Sequence, residues 1–585
     1  MSQSFDVVIE NGLFFDGREN TPAVRHVGVE KGVVTAISET PLPSAHARQV
    51  VDASGCWVTP GFIDIHTHYD AEVELSPSLS ESVRHGVTTV LLGSCSLSLA
   101  LGTPEDLADM FCRVEAIPYD VVRDMLEERK NWETLSDYFS HLDGLNLGPN
   151  VASFLGHSAV RAHVMGLERS LDHKVKPTGH ELGRMEGLLS EALDLGYLGL
   201  SIQTLPWDKM GGTRAIRSRP LPSTFARWSE YRRLNRLLRE RGRVFQGVPN
   251  ISTKVNVALF YLESIGLFRK PLKTTVISMM DIRADRHIYR LIGSLTRFVN
   301  RFLDANFRFQ ALPEIFDLWA DGIDLVVFEE FGSGAAALHL QDELERSKLL
   351  RDPEYRARFR RHWTNRFLPR AFHRDFNQSE ILACPDSSVV GKSFAQLAKE
   401  QGHHAVDVFL DLVAEHGTKL RWYTVMGNDR PKVLEEIVTH PDILIGFSDA
   451  GAHLRQMSHY NFPLRLLKLV NDARKSGREI MPLERAVHRL TGEIGEWLGL
   501  DAGTLRVGGR ADLVVVDPDG LDASLDAVEE APIEGFRSDF QRLVRRNPKA
   551  VRSVFIHGKE AVSNGEMRPE VGRQPGFGRV LKAIA

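Results

Sequence analysis

The chain has 585 residues, of which 43% are hydrophobic and 25% charged, and a formal net charge of −5 at pH 7. This is ordinary globular composition, long enough for one large domain with a satellite, and it lacks the basic footprint of a nucleic-acid binder. Four cysteines (Cys56, Cys95, Cys112, Cys384) in so long a chain are no disulfide framework and fit a reducing cytoplasm. The first residues lack the basic and apolar regions of a signal peptide, and no apolar run approaches the ~20 residues of a membrane span. A cytoplasmic protein without nucleic-acid or membrane partners is expected.

In chain order, residues 5–9, 27–29, 33–37 and 49–57 read as strands, with turns at Asn11-Gly12 and Lys31-Gly32. Residues 1–57 are thus a small β-rich unit. At the far end, 505–517 gives a turn and an apolar strand, and 551–562 a closing hairpin. Chain ends often lie close together, so 1–57 and 501–585 are expected to form one β-sandwich. Between them, apolar strands alternate with helical patterns, at 59–65, 88–92, 151–155, 198–202, 244–248, 275–278, 381–384 and 443–447. Eight repeated βα units imply a parallel sheet and a (β/α)8 TIM-type barrel over 58–500, an α/β fold. Residues 286–374 are too long and charged for one crossover helix. They read as a helical insertion between strands six and seven, serving as a lid or as a contact between copies of the chain.

Function in such barrels sits at the C-terminal strand ends. The first strand ends in His66-Thr67-His68, and side chains at i and i+2 share one side of a strand. The pair can therefore chelate a metal. Cys95 follows strand two, His157 strand three and Gln203 strand four. Gln246 lies near the end of strand five, Met279-Met280-Asp281 follow strand six, Pro385-Asp386-Ser387 strand seven and Ser448-Asp449 strand eight. Two imidazoles, a thiolate and a carboxylate suit zinc, a borderline-soft ion with N, S and O ligands. Asp449 would adjoin the histidine pair once the barrel closes.

These residues resemble the amidohydrolase superfamily, and within it the N-acyl-D-amino-acid deacylases (D-aminoacylases). The resemblance rests on Pro60-Gly61-Phe62-Ile63-Asp64-Ile65-His66-Thr67-His68, on His85-Gly86-Val87-Thr88-Thr89-Val90 leading to Cys95, and on Gly156-His157 with Arg161. It continues through Gly196-Tyr197-Leu198-Gly199-Leu200-Ser201, Ser448-Asp449 and Gly508-Gly509-Arg510-Ala511-Asp512-Leu513-Val514. It implies a zinc-bearing barrel with a small β-domain, metal ligation by His66, His68, Cys95 and Asp449, and hydrolysis of an amide in an N-acylated amino acid. The branch usually carries a histidine at the ends of strands five and six. Here those strands offer Gln246 and Asp281 instead, so one zinc ion per chain is the simpler expectation.

In the mechanism expected from this resemblance, metal lowers the pKa of a water. Asp449 then acts as the base and as the acid toward the leaving amine. His157, Arg161, Gln246, Asp281, His453 and Arg455 are the candidate substrate-binding residues, the two arginines as clamps for a carboxylate. Two other readings stand beside the deacylase. One is an amidohydrolase acting on a cyclic amide, a carbamate or a larger acylated natural product. The other is a barrel that has lost catalysis and serves as a subunit. The partner is a small N-acyl compound, with a homo-oligomer as an additional option.

Overall fold

Runs of β-branched and aliphatic residues buried on both faces build the middle of the chain, as parallel strands require. Val87–Leu92, Val-Thr-Thr-Val-Leu-Leu, is buried at every position. The computed structural model describes residues 5–584 apart from 45, 114, 252, 366–369 and 538–539. Its parallel strands are Phe62–Asp64 continued by His66–Thr67, Val87–Leu92, Asn150–Ser153 continued by Leu155–Gly156, Gly199–Gln203, Val244–Val248, Lys273–Ile277, Asn306–Ala311, and Ile443–Ile445 continued by Phe447–Ala450.

These strands pair in three parallel sheets. The first, second and third strands form one, the third to the eighth form another, and the ends of the eighth and first form a two-stranded piece. The breaks fall at Ile65, Phe154 and Gly446, where single backbone bonds such as Ile65 N–H to Gly446 O (2.8 Å) and Phe154 N–H to Leu92 O (3.0 Å) carry the pairing on. Ile63, Leu91, Ala152, Leu198, Val244 and Leu444 share one cluster with Ile494 and Trp497. The returning C-terminal residues Leu581 and Ala583 complete it.

Two expectations are corrected. The seventh strand is Asn306–Ala311, which pairs in parallel with Lys273–Ile277 and Ile443–Ile445. Ser379–Ala383 belongs instead to an antiparallel sheet with Phe316–Asp321 and Arg421–Gly427. The insertion therefore lies between strands seven and eight, not six and seven. The helix Ile288–Phe302 is the ordinary crossover from six to seven. The inserted segment carries its own aromatic core, including Phe328, Phe359, Trp363, Phe376, Phe409 and Trp422.

Strands from the two chain ends join one nine-stranded sheet, in which Leu513–Val516 pairs antiparallel with Trp57–Pro60. Val29, Val58, Leu513 and Phe555, drawn from both ends, pack in one cluster, so the sheet closes over its own core. Its N-terminal part runs on to Pro60, past the expected limit at 57. Asp512 accepts a bond from Asn150 Nδ2 (2.9 Å) and ties this sheet to the third strand. No helix among the described residues is long and apolar enough to cross a membrane.

Candidate metal and active site

At the C-terminal ends of strands one, two and eight, four side chains meet. His66, His68 and Cys95 are buried, and each offers a ligand atom within 4.8 Å of the others. Cys95 Sγ lies 3.3 Å from His66 Nε2. Asp449 Oδ1 lies 3.6 Å from His66 Nε2 and 3.4 Å from His68 Nε2.

The backbone pays to aim these groups. Cys95 (φ 50°), Ser96 (φ 70°), Asp449 (φ 58°) and His453 (φ 50°) all sit in the left-handed region. Such conformations cost about 1–3 kcal/mol each and cluster at functional sites. Gly451 (φ 91°) lets the loop after strand eight lie against strand one, since a Cβ there would fall 2.5 Å from the His68 carbonyl oxygen. Asp64 clamps the same two strands. Its carboxyl accepts the Ser448 hydroxyl and the His66 backbone N–H (3.2 Å for the latter). Burial, opposed by these bonds, pushes its pKa up to about 8. Asp70 accepts the Gly93 N–H (3.1 Å to Oδ2), anchoring the turn that carries Cys95.

Gln310 on strand seven accepts the His66 Nδ1–H (2.8 Å), which leaves Nε2 with its lone pair facing Cys95 and Asp449. Burial holds the His66 pKa down, to about 4, so the imidazole is neutral as a ligand must be. Gln246 lies beside the same ring nitrogen. Its amide nitrogen is 3.1 Å from His66 Nδ1, and its oxygen accepts the Cys95 N–H (3.2 Å). Burial, then the carboxylates of Asp208 and Asp449, push the Cys95 thiol well above its ordinary value. Burial also opposes ionisation of Asp449, but the His68 hydrogen bond and charge hold it below the carboxylate range. One neutral imidazole, one imidazole bonded to a carboxylate and one thiol around a single point form a donor set that a divalent cation of borderline softness fits.

A cavity of about 350 Å³ is linked to this cluster through two of its lining residues, Asp208 and His453. Trp207, Asp208 and Lys209 from the loop after strand four line it, with Arg113, Arg217, His453 and Gln456. The insertion closes it with Asp324, Glu329 and Arg346. Asp208 is pushed up to about 6 by burial, with the His68 charge opposing. Most of the wall is internally neutralised: Arg113 and Lys209 both bind Glu329, and Arg346 binds Asp324. Arg217 differs. It donates to the His339 carbonyl oxygen (2.9 Å), and no carboxylate partner is found for it among the described residues.

Of the expected substrate residues, His453 reaches the cavity and Gln246 touches the metal cluster. Four others are engaged elsewhere. His157 lies 3.0 Å from Glu230 and Arg161 binds the same carboxylate, all three buried. Asp281 is gripped by Arg430 and Arg286 (2.6 and 3.0 Å). Arg455 pairs with Asp321 and Glu530 (2.6 and 3.3 Å). Sequence reasoning missed Gln310, Asp208, Arg217 and Asp64. Asp208 stood in plain view, two residues from Pro206 in a loop after a strand. Gln310 was hidden because its strand had been placed elsewhere.

No family model matches the chain. The chain has the fold of the N-acyl-D-amino-acid deacylases. It superposes on N-acyl-D-glutamate deacylase from Bordetella bronchiseptica, solved with zinc and a phosphonate mimic of the tetrahedral intermediate, with TM-score 0.62 and 21% identity over 99% of this chain and 100% of that one. D-aminoacylase of Alcaligenes xylosoxydans is 35% identical over 205 residues, 34% of this chain and 38% of that protein. Over that third of the chain its homologues include D-aminoacylase and other N-acyl-D-amino-acid deacylases. Over its whole length the chain belongs to one family with the uncharacterized protein Rv2913c of Mycobacterium tuberculosis, at 46% identity over 588 residues, 99% of this chain and 96% of that protein.

Proposed function

We propose that this chain hydrolyses the amide C–N bond of an N-acylated amino acid with the help of one zinc ion. The observation that carries the reading is the convergence of His66, His68, Cys95 and Asp449, next to a charged cavity whose lining residues Asp208 and His453 feel the charges of that cluster. The three parallel sheets are read as one (β/α)8 barrel interrupted at three irregular points, with the insertion as its cover. The four residues would hold the ion. When bound, it supplies Lewis-acid polarisation and a water of lowered pKa. Strand five offers Gln246, an amide held to His66 Nδ1 and the Cys95 N–H, and Asp281 after strand six is bound to arginine, which favours one ion over two. A cytoplasmic location fits the four free thiols.

Asp449 takes a proton from the attacking water and delivers it to the leaving nitrogen, so one group serves as base and then acid. His453, which lines the cavity, orients the acyl oxygen. Arg217 receives the substrate carboxylate. Burial and the neighbouring Arg113 and Arg346 cations hold its pKa below its ordinary value, so an arriving anion relieves the repulsion. A neutral cyclic amide would give Arg217 nothing to bind, and a purely structural barrel would have no use for the left-handed backbone at Cys95 and Asp449.

The test is hydrolysis of N-acyl-D- and N-acyl-L-amino acids by the full chain. Activity is expected to vanish on chelation and return with zinc. Asp449→Asn should lower kcat roughly a hundred- to ten-thousand-fold with an unchanged far-UV spectrum. Wild-type-like turnover in that variant, or activity indifferent to chelation, would overturn the reading.

A further inference from the structure

The helix Ile288–Phe302 packs against the strands through Tyr289, Gly293, Thr296 and Val299. On its outer face Leu291, Leu295, Phe298 and Phe302 recur at helical spacing, and all four are exposed, Leu291 at 66% and Phe302 at 62%. The neighbouring helix Lys254–Ser264 adjoins it through a bond between Tyr261 and Thr296 (2.8 Å). It too turns apolar side chains outward, Val255 at 69% and Leu262 at 53%. The loop that follows puts Phe268 fully into solvent with a left-handed backbone (φ 65°). Of seventeen exposed large hydrophobics in the described structure, nine lie between residues 251 and 302. Scattered exposed hydrophobics need no explanation, but a contiguous patch marks an interaction site.

The charges around the patch say what covers it. Arg297 and Arg301 run along one edge, Lys270 stands beside Phe268, and Arg236 lies on the helix Trp228–Glu240 at the other edge. None of these four has a carboxylate partner among the described residues, whereas the nearby carboxylate of Glu263 is buried and taken by Arg232 and Arg239. The unpaired charges along the two edges are thus mainly basic, with the exposed Asp304 beyond Phe302 as the acidic exception. A second copy of the chain would set like charges against each other, and an acyl-free polyanion would leave the phenylalanines in water. Exposed aromatic and aliphatic side chains between free cations are the chemistry of peripheral binding at an anionic bilayer surface.

We propose that the outer face of the helices Lys254–Ser264 and Ile288–Phe302, with Phe268, docks this protein on an anionic lipid surface. The sequence led to the expectation of no membrane partner because no segment can span a bilayer. Surface docking needs no span. It is independent of the hydrolytic reading, since none of these residues lines the cavity.

The experiment is co-sedimentation of the full chain with vesicles of phosphatidylcholine alone and of phosphatidylcholine with phosphatidylglycerol. Binding is expected on the anionic vesicles only, and should fall about tenfold when salt is raised to about 0.5 M. The Phe268→Ser/Phe298→Ser double variant should lose it, and Arg297→Glu/Arg301→Glu should weaken it, with hydrolysis of a soluble substrate unchanged in both. Absence of binding to anionic vesicles, equal binding to neutral ones, or wild-type binding by the serine variant would each overturn the proposal. So would a dimer in sedimentation velocity that the serine variant dissolves, which would give the face to a second copy.

Discussion

His66 shows how far a single residue depends on its second nitrogen. Its Nε2 is useful to a metal only while Nδ1 keeps its proton, and Gln310 Oε1 at 2.8 Å accepts that proton's bond. Gln310→Ala should therefore weaken metal binding roughly 10–100-fold, as loss of such outer partners does. Competition with a chromophoric chelator measures it, and unaltered affinity would reduce Gln310 to packing. Arg217 supports a second prediction. Arg217→Ala should raise KM for carboxylate-bearing substrates by about tenfold or more, because a charge-assisted hydrogen bond contributes about 1.5–3 kcal/mol, and leave kcat nearly alone. Substrates whose carboxylate is amidated should not distinguish the two proteins. At this scale the clustering of His66, His68, Cys95 and Asp449 was legible because strand periodicity and strand ends are written in the chain. Arg161, His157, Asp281 and Arg455 were not, because nothing local announces that Glu230, Arg430 or Asp321 will claim them.

Among the elements, the seventh strand was the hardest to see. Asn306–Ala311 reads Asn-Phe-Arg-Phe-Gln-Ala, alternating like a half-exposed antiparallel strand. Ser379–Ala383, which took its place in the sequence reading, is no less apolar in outline. The insertion behind it stands on its own aromatic core, in which Phe409 stacks on Phe328 (5.6 Å between ring centres) and meets Trp422 edge-on (5.9 Å). Phe409→Ala should cost about 3–5 kcal/mol there. Because Glu329 and Arg346 in the cavity wall belong to this element, activity should fall with it. Limited proteolysis is expected to cut within 312–430 faster than elsewhere. A cleavage pattern and denaturation midpoint like those of the wild type would show that this core does not hold the cover in place.

For the molecule as a whole, three arginines near the C-terminus, two of them buried, tie that end of the chain to the helices after strand one and to the insertion. Arg542 pairs with Glu72 (2.7 Å), Arg545 with Glu314 and Asp317 (2.8 and 2.6 Å), and Arg546 with Glu81 (2.6 Å). Burial opposes ionisation of Glu81 and Glu314, but arginine charge prevails, from Arg84 and Arg542 in one case and Arg465 and Arg545 in the other, with His459 assisting the latter. Both glutamates are pulled down to about 2 from an ordinary value of 4.5. A carboxylate with a depressed folded pKa contributes stability above its unfolded value and loses it as pH falls through the folded one. Urea midpoints should therefore be insensitive to these groups above about pH 4.5 and decline from there toward about pH 2, more gently in Glu81→Gln. Identical acid profiles for that variant and the wild type would remove Glu81 from the account.

The chain's own pattern was enough for eight parallel strands as a class of fold, for β-structure at both ends, and for the quartet His66, His68, Cys95 and Asp449. These follow from short-range periodicity and from chemistry carried at strand ends. Tertiary contact settled the rest: which run is the seventh strand, where the insertion enters, and which charged side chains stay free for a substrate. Pairing energy comes from partners hundreds of residues away, as with Gln310 and His66 or Arg545 and Glu314. A buried charge is satisfied by whichever opposite charge the fold brings to it, and that choice leaves no local trace in the sequence.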